Sequence, residues 1–84
     1  MGTIEQAYLK KLQADPQQSV RVIIRTQTKP ELNVAQVAAA GLTVTGTTNL
    51  IRSIAATGPA GAVIALARED WVVSIEPDQE VRAL

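Results

Sequence analysis

The side chains that most often carry acid–base or nucleophilic chemistry are absent from this sequence or stand alone. The 84 residues include no histidine and no cysteine, which removes the usual general base, thiolate catalysis and the commonest metal ligands. Ser19, Ser53 and Ser74 therefore have no histidine to activate them, and the carboxylates do not cluster. The sequence predicts a protein that is not an enzyme and that holds no metal and no cofactor.

Two glycines precede a predicted helix in the run Gly58-Pro59-Ala60-Gly61, as they do in some phosphate-binding loops. The run lacks the lysine and hydroxyl residue of a phosphate loop and the full dinucleotide fingerprint, so we interpret it as a helix cap. Eight basic and eight acidic residues cancel, and there is only one Trp and one Tyr. A nucleic-acid partner is therefore not expected.

The sequence also bears on the compartment. No apolar run is long enough to span a membrane, so no membrane partner is expected. Residues 1–15 alternate charged and apolar side chains and lack the apolar centre of a signal peptide. The chain as written would stay in the cytosol, although these residues leave open whether a leader has been removed.

Any binding residues must be positioned by helices and strands, which the hydrophobic spacing predicts. Apolar residues recur at helical spacing before Asp15-Pro16, and Thr3 with Gln6 fits a capping box for this first helix. Gly41 supplies the left-handed residue that ends a second helix. The predicted strands cover residues 19–27, 42–47, 51–57 and 71–76, and the second and third helices end near residues 40 and 68.

After the leading helix, the order strand, helix, strand, strand, helix, strand predicts an α+β fold. We expect a ferredoxin-like βαββαβ sandwich, with four antiparallel strands, both helices on one face and an extra N-terminal helix. Pro77 suits the end of an edge strand. The predicted organisation is an N-terminal helix and linker (1–18), a ferredoxin-like domain (19–78) and an extended tail (79–84).

Since both helices would cover one face of the sheet, the opposite face is available to a partner. Alternation along the strands places Ile23, Ile54 and Val72 on this open face as an apolar stripe. An apolar patch with a charged rim is typical of a protein-binding surface, although ordinary surface residues or a covering helix would give the same pattern. The predicted rim consists of Arg21, Arg25, Arg52 and Glu76.

The last fourteen residues, from Trp71 to Leu84, carry the most specific pattern. Residues 72–78 have the form Val-x-x-Ile-Glu-x-Asp, and six further residues lead to Leu84. This segment resembles the closing segment of subtilisin propeptides and of their free-standing inhibitor relatives. At the level of strand and helix pattern, the resemblance extends back to about Ser19.

The resemblance implies that the chain inhibits subtilisin-type serine proteases by placing its tail in the substrate cleft. Leu84 would occupy the primary specificity pocket and Val81 the second apolar pocket, with Arg82 and Ala83 between them. Because no protease domain follows in this chain, the resemblance implies inhibition of a separate protease molecule, as distinct from chaperone-like folding assistance within one chain.

The resemblance also assigns a role to Glu76 and Asp78, which match the acidic pair of the family. In that family the two carboxylates cap two parallel helices of the enzyme, where they complement the helix dipoles. Isolated, such a pair would be read as ordinary solvated charges. A second interpretation therefore stays open, in which the chain is a ferredoxin-like interaction or self-assembly module, such as a homo-oligomer, with no protease target.

Overall fold

The computed structural model describes residues 2–78 and has an α+β architecture with one mixed five-stranded sheet and three helices. A short 3₁₀ turn, Pro30–Leu32, follows the second strand. The strands are β1 (Thr3–Ile4), β2 (Ser19–Thr26), β3 (Thr43–Thr48), β4 (Ser53–Pro59) and β5 (Val72–Pro77). The helices are α1 (Gln6–Ala14), α2 (Val34–Ala39) and α3 (Ala60–Leu66).

The strands lie in the order β1-β5-β2-β4-β3. β1 runs parallel to β5, and every other pair of neighbours is antiparallel. The connection from β2 to β3 through α2 and the connection from β4 to β5 through α3 each pass over one intervening strand. The prediction of four antiparallel strands is therefore wrong, because the sheet has a fifth strand and one parallel pairing.

The fifth strand comes from residues that were predicted to begin the first helix. Thr3 and Ile4 pair with β5, and the capping box predicted from Thr3 and Gln6 does not form. The backbone N–H of Gly2 donates a 2.7 Å hydrogen bond to the carbonyl of Ala67, which fixes the start of the strand. Pairing with β5 thus satisfies backbone groups that a helix start would leave without intrahelical partners.

All three helices contribute to one core on the same face of the sheet. Leu12 of α1, Val37 of α2 and Val63 of α3 are fully buried there. Leu12 thus brings α1, which lies within the predicted N-terminal helix and linker (1–18), into contact with the core of the sheet. α2 packs against β3, α3 packs against β4 and β2, and α1 packs against α3, so α3 is the central helix.

Gly41 directs the chain from α2 into β3. Its φ of 102° lies in the left-handed region, which confirms the prediction made from a glycine at this position. Its N–H donates to the carbonyl of Ala38 at 3.1 Å, and the N–H of Leu42 donates to the carbonyl of Val37 at 3.4 Å. These bonds close the end of α2 and place Leu42 in the core immediately before β3 starts.

Candidate partner-binding surface

The sheet face opposite the helices is the surface on which the sequence predicted a partner-binding site. Arg21, Ile23 and Arg25 of β2 point to this face, because the residues between them are buried in the core. In the register of the sheet, Ile23 lies opposite Ala55 of β4 and Glu76 of β5. Ile23 is half-buried and lies between two neighbouring strands, so it is an apolar residue in the interior of the open face.

Two of the three residues predicted for the apolar stripe lie in the core instead. Ile54 is opposite Ile24 and Val72 is opposite Thr26, and Ile54 and Val72 are both 0% exposed. The prediction for Val72 was wrong because a register shift beside Thr26 leaves Val73 as an extra residue in β5. This bulge turns Val72 to the core and leaves Val73 46% exposed.

The neighbours of Ile23 on the open face are small or polar. β4 contributes Ala55 and Thr57 at positions paired with β2, and β5 contributes Ser74. The predicted stripe of three large apolar residues is therefore reduced to Ile23 alone. A partner that binds here would contact a largely polar surface, with charged groups supplied by the ends of β2 and β5.

Arg52 was predicted to flank the open face, but it lies in the turn before β4. Among residues 2–78 it is the one non-glycine residue with a positive φ, at 47°. Its carbonyl accepts a 2.8 Å hydrogen bond from the N–H of Thr26, and its Nη1 donates to the carbonyl of Gln27 at 3.0 Å. Arg52 therefore ties the β3–β4 turn to the end of β2.

Glu76 and Asp78 lie at the end of β5, each next to an arginine of β2. Arg25 Nε is 3.5 Å from Glu76 Oε1, and Arg21 Nη2 is 3.9 Å from Asp78 Oδ2. The N–H of Asp78 also donates a 2.9 Å hydrogen bond to the carbonyl of Arg21, so pairing with β2 continues one residue beyond Pro77. The spacing of two along extended chain puts both carboxylates on the same side of the strand.

Both ion pairs are open to solvent. The side chains of Arg25 and Glu76 are 49% and 51% exposed, and those of Arg21 and Asp78 are 52% and 30% exposed. Exposed pairs of this kind contribute about 0 to 1 kcal/mol each. The carboxylates can therefore exchange their arginine partners for other donors at small cost in free energy.

A groove lies between α1 and the end of β5. It is lined by Glu5, Ala7, Tyr8, Lys11 and Pro77. Burial raises the pKa of the Tyr8 phenol above its ordinary value of 10.0, so the hydroxyl is protonated at neutral pH and can donate a hydrogen bond. The groove thus presents charged and hydrogen-bonding groups beside Pro77.

The residues predicted to enter a protease cleft, Val81, Arg82, Ala83 and Leu84, lie outside the described residues. Within residues 2–78, no group of three or more acidic side chains is placed to hold a metal ion. No helix in that part of the chain has the length and apolar character needed to cross a membrane.

The ion-pair partners of the acidic residues were not predicted from the sequence. Arg21 and Arg25 were assigned to the rim of the apolar stripe, and the available signal was opposite charge on two strands predicted to be neighbours. No protein-family model matches the sequence, and no curated protein matches it. Function must therefore be argued from the residues themselves.

Proposed function

We propose that the chain inhibits subtilisin-type serine proteases by binding its C-terminal tail in the substrate cleft. One observation carries the proposal. Glu76 and Asp78 lie together on the uncovered sheet face, at the end of the strand that leads into residues 79–84. An acidic pair held in this position can accept hydrogen bonds from the enzyme surface while the tail that follows it enters the cleft.

The proposal includes a ferredoxin-like core made of β2 to β5 with α2 and α3, to which β1 and α1 are added. It is supported by the strand order β5-β2-β4-β3 and by the two connections that each pass over one strand. The base of the tail is held by β5, which is hydrogen-bonded along β2 as far as Asp78. A fixed base reduces the entropy lost when a partner is bound.

In the proposed complex, the tail pairs as an added strand with the substrate-binding edge of the enzyme, and main-chain hydrogen bonds supply part of the affinity. Leu84 fills the primary specificity pocket, with its carboxylate in the position of the acyl product. Val81 fills the second apolar pocket. Arg82, third from the end, is the position that the resemblance leaves free to be charged, and its side chain faces solvent.

The tail and the acidic pair are expected to contribute unequally to the free energy of binding. A carboxylate at a helix N-terminus contributes about 0.3 to 1 kcal/mol. The ion pair that it gives up is worth about as much, roughly 0 to 1 kcal/mol. Exchange of Arg21 and Arg25 for enzyme helices is therefore close to balanced. The acidic pair orients the inhibitor, and the tail must supply most of the affinity.

The proposal is tested by titrating the protein against a subtilisin in the presence of a chromogenic peptide substrate. The full chain should cause stoichiometric loss of protease activity. Removal of residues 81–84 should weaken inhibition by about 30- to 1,000-fold, the range expected when the central anchors of an interface are lost. Circular dichroism checks that the truncated protein keeps its fold. Equal inhibition by the two proteins would refute the tail mechanism.

Matched single substitutions sharpen this test. Leu84→Asp places a charge in the apolar primary pocket and should weaken inhibition strongly. Arg82→Asp places the same charge at a solvent-facing position and should change inhibition little. If the two variants lose inhibition equally, Leu84 does not occupy a specific pocket. A full chain that leaves subtilisin activity unchanged would favour the interaction module without a protease target.

A further inference from the structure

Twenty consecutive residues, 32–51, contain no charged side chain. At the chain's average of 19% charged residues, about four would be expected in a segment of this length. The segment forms α2, β3 and most of the turn before β4, and we call it the uncharged flank. Burial does not explain its composition, because Asn33, Val37 and Leu42 are its only buried residues.

The next uncharged segment, residues 53–67, is explained by its position in the fold. It forms β4, which lies between β2 and β3, and α3, which lies between the other two helices. Charges are excluded from such central elements by the cost of burying them. β3 has no comparable cover, since it is the outermost strand and five of its six residues are exposed.

β3 leaves one edge of its backbone open. Within residues 2–78 it pairs with β4 alone. Edge strands of natural proteins are usually protected by lysine, proline or inward-pointing charges, and β3 contains none of these. A register shift between Val44 and Gly46 twists the strand, but residues 46–48 remain regularly paired with β4. The opposite edge of the sheet, β1, is only two residues long.

α2 continues the uncharged flank beside β3. Val37 points into the core, while Gln36 and Ala39 line a groove that faces α3. Successive residues of a helix are rotated by about 100°, so Ala35 and Ala38 lie on the side away from α3. Both alanines are exposed. Their small side chains would allow a second helix to approach α2 closely.

Apolar side chains at both ends of the uncharged flank are also exposed. Leu32 is 70% exposed, and Leu50 and Ile51 in the β3–β4 turn are 93% and 48% exposed. The loop that holds Leu32 and the turn that holds Leu50 meet at a shared groove lined by Lys29 and Arg52 among others. Exposed apolar groups next to an open strand edge are typical of an interface.

We propose that two copies of the chain associate through the uncharged flank, with β3 antiparallel to β3 of the second copy about a two-fold axis. The two sheets then form one ten-stranded sheet, and the α2 helices pack across the axis. A second copy is the favoured occupant because the flank is complementary to itself: threonine meets threonine, alanine meets alanine, and no charge is buried. A formal net charge of zero also leaves no overall repulsion between copies.

The size and position of the uncharged flank are suitable for this association. Seventeen of its twenty residues are not buried, so most of the uncharged flank is accessible to a partner. β4 and β2 separate β3 from β5 in the sheet. Association through β3 therefore leaves Glu76, Asp78 and the open face of each copy free for another partner.

Light scattering coupled to gel filtration tests the association over a range of protein concentrations. The wild-type chain should give twice its 8.9 kDa mass. Thr47→Lys adds a charge to the exposed edge of β3 and should give the monomer mass. Thr3→Lys makes the same change on the other edge, in β1, and should remain dimeric. Ala38→Lys, on α2, should also give the monomer while it leaves the strand sequence intact.

Cysteine crosslinking tests the geometry, because the chain has no cysteine of its own. Residues opposite each other in an antiparallel pair are close enough for a disulfide. About a two-fold axis a residue lies opposite its own copy only next to the axis, so mild oxidation should link copies at whichever of Thr43→Cys, Thr45→Cys and Thr48→Cys lies nearest the axis, and not at the position farthest from it. Thr57→Cys on β4 is the control and should not crosslink.

Three results would overturn the proposal. They are a monomer mass at every concentration, equal masses for Thr47→Lys and Thr3→Lys, or a dimer that crosslinks at none of the β3 positions. Circular dichroism of each variant distinguishes a folded monomer from an unfolded chain, and the crosslinking series does not depend on the lysine variants. Neither experiment contains a protease, so its outcome is separate from that of the inhibition assay.

Discussion

The two edges of the sheet, one near β5 and the other at β3, differ in charge and in whether a further strand covers them. We call these regions the β5 side and the β3 side. On the β5 side, Glu76 and Asp78 are paired with arginines of β2, and β1 covers part of the outer edge of β5. On the β3 side, residues 32–51 carry no charge, and in the described part of the chain no strand covers β3. One side is therefore polar and partly closed, and the other is uncharged and open.

This difference separates two kinds of recognition. Exposed charges keep their water unless a partner offers matching groups, so a partner of the β5 side would be selected by charge and geometry. An open strand edge offers its backbone N–H and C=O groups to any other strand edge. A partner of the β3 side would therefore need only an open edge that brings no charged side chain into the contact. The two proposals thus assign a different protein to the β5 side and a second copy of the chain to the β3 side.

The largest effect on stability is expected when a leucine of the core, Leu12 in α1, is compared with the exposed Leu50 of the uncharged flank. Leu12→Ala should destabilise the fold by about 2 to 5 kcal/mol, because the side chain is fully buried in the core. Leu50→Ala should change monomer stability by less than about 0.5 kcal/mol, since Leu50 is 93% exposed. Urea unfolding measures both. A similar loss for the two variants would mean that Leu50 is buried in the state that unfolds.

A smaller effect is expected from the two glycines of the uncharged flank. Gly41→Ala forces a side chain into the left-handed region and should cost about 1 to 2 kcal/mol. Gly46→Ala meets no atom within 4 Å of the new Cβ, and its φ is not in that region. We expect it to be neutral or slightly stabilising in thermal unfolding. Equal costs would show that the turn at Gly41 does not require the left-handed conformation.

The smallest effect is expected from the ion pairs. Arg25→Gln removes the partner of Glu76 and should change inhibition of a subtilisin by no more than about fivefold, since an exposed pair is worth at most about 1 kcal/mol. Thr57→Gln, also on the open face, is a control without a charge change. Inhibition constants at low and high salt measure the effect. A loss above tenfold for Arg25→Gln alone would mean that this arginine itself contacts the enzyme.

The sequence predicts much of the fold because, in many elements, the local spacing of apolar residues matches the residues that the fold buries. Val22 and Ile24 alternate with outward residues in β2, and both are buried. Gly41 marks the end of α2, and its backbone has the conformation that a glycine permits. In these places, the same residues satisfy the local preference and the tertiary packing, so a pattern is enough to identify them.

Other features depend on contacts that no local pattern contains. Thr3 and Gln6 fit a capping box, but pairing with β5 takes precedence, and β5 lies some seventy residues away in the chain. The bulge at Val73 shifts the register by one residue, which reverses the face on which Val72 lies. A shift of one residue changes the face of the side chain beyond it, which accounts for Val72. Ile54 faces the core for a different reason, because the register of β4 pairs it with the buried Ile24.

The uncharged flank is visible in the sequence, but its significance depends on the fold. The absence of charge from residues 32–51 is visible in the sequence, but so is its absence from residues 53–67. The order of strands is what distinguishes them, because it places β3 at the border and β4 inside the sheet. Composition alone therefore does not distinguish the two uncharged segments. The strand order does, because it shows that residues 32–51 lie at an open edge of the sheet.

The position of β5 between β1 and β2 has a consequence for folding during synthesis. During synthesis, residues 3–4 and 19–26 leave the ribosome before residues 72–77, which form the strand that lies between them. The sheet therefore cannot close until β5 has emerged. Until then, β1 and β2 lack the strand that pairs with both of them.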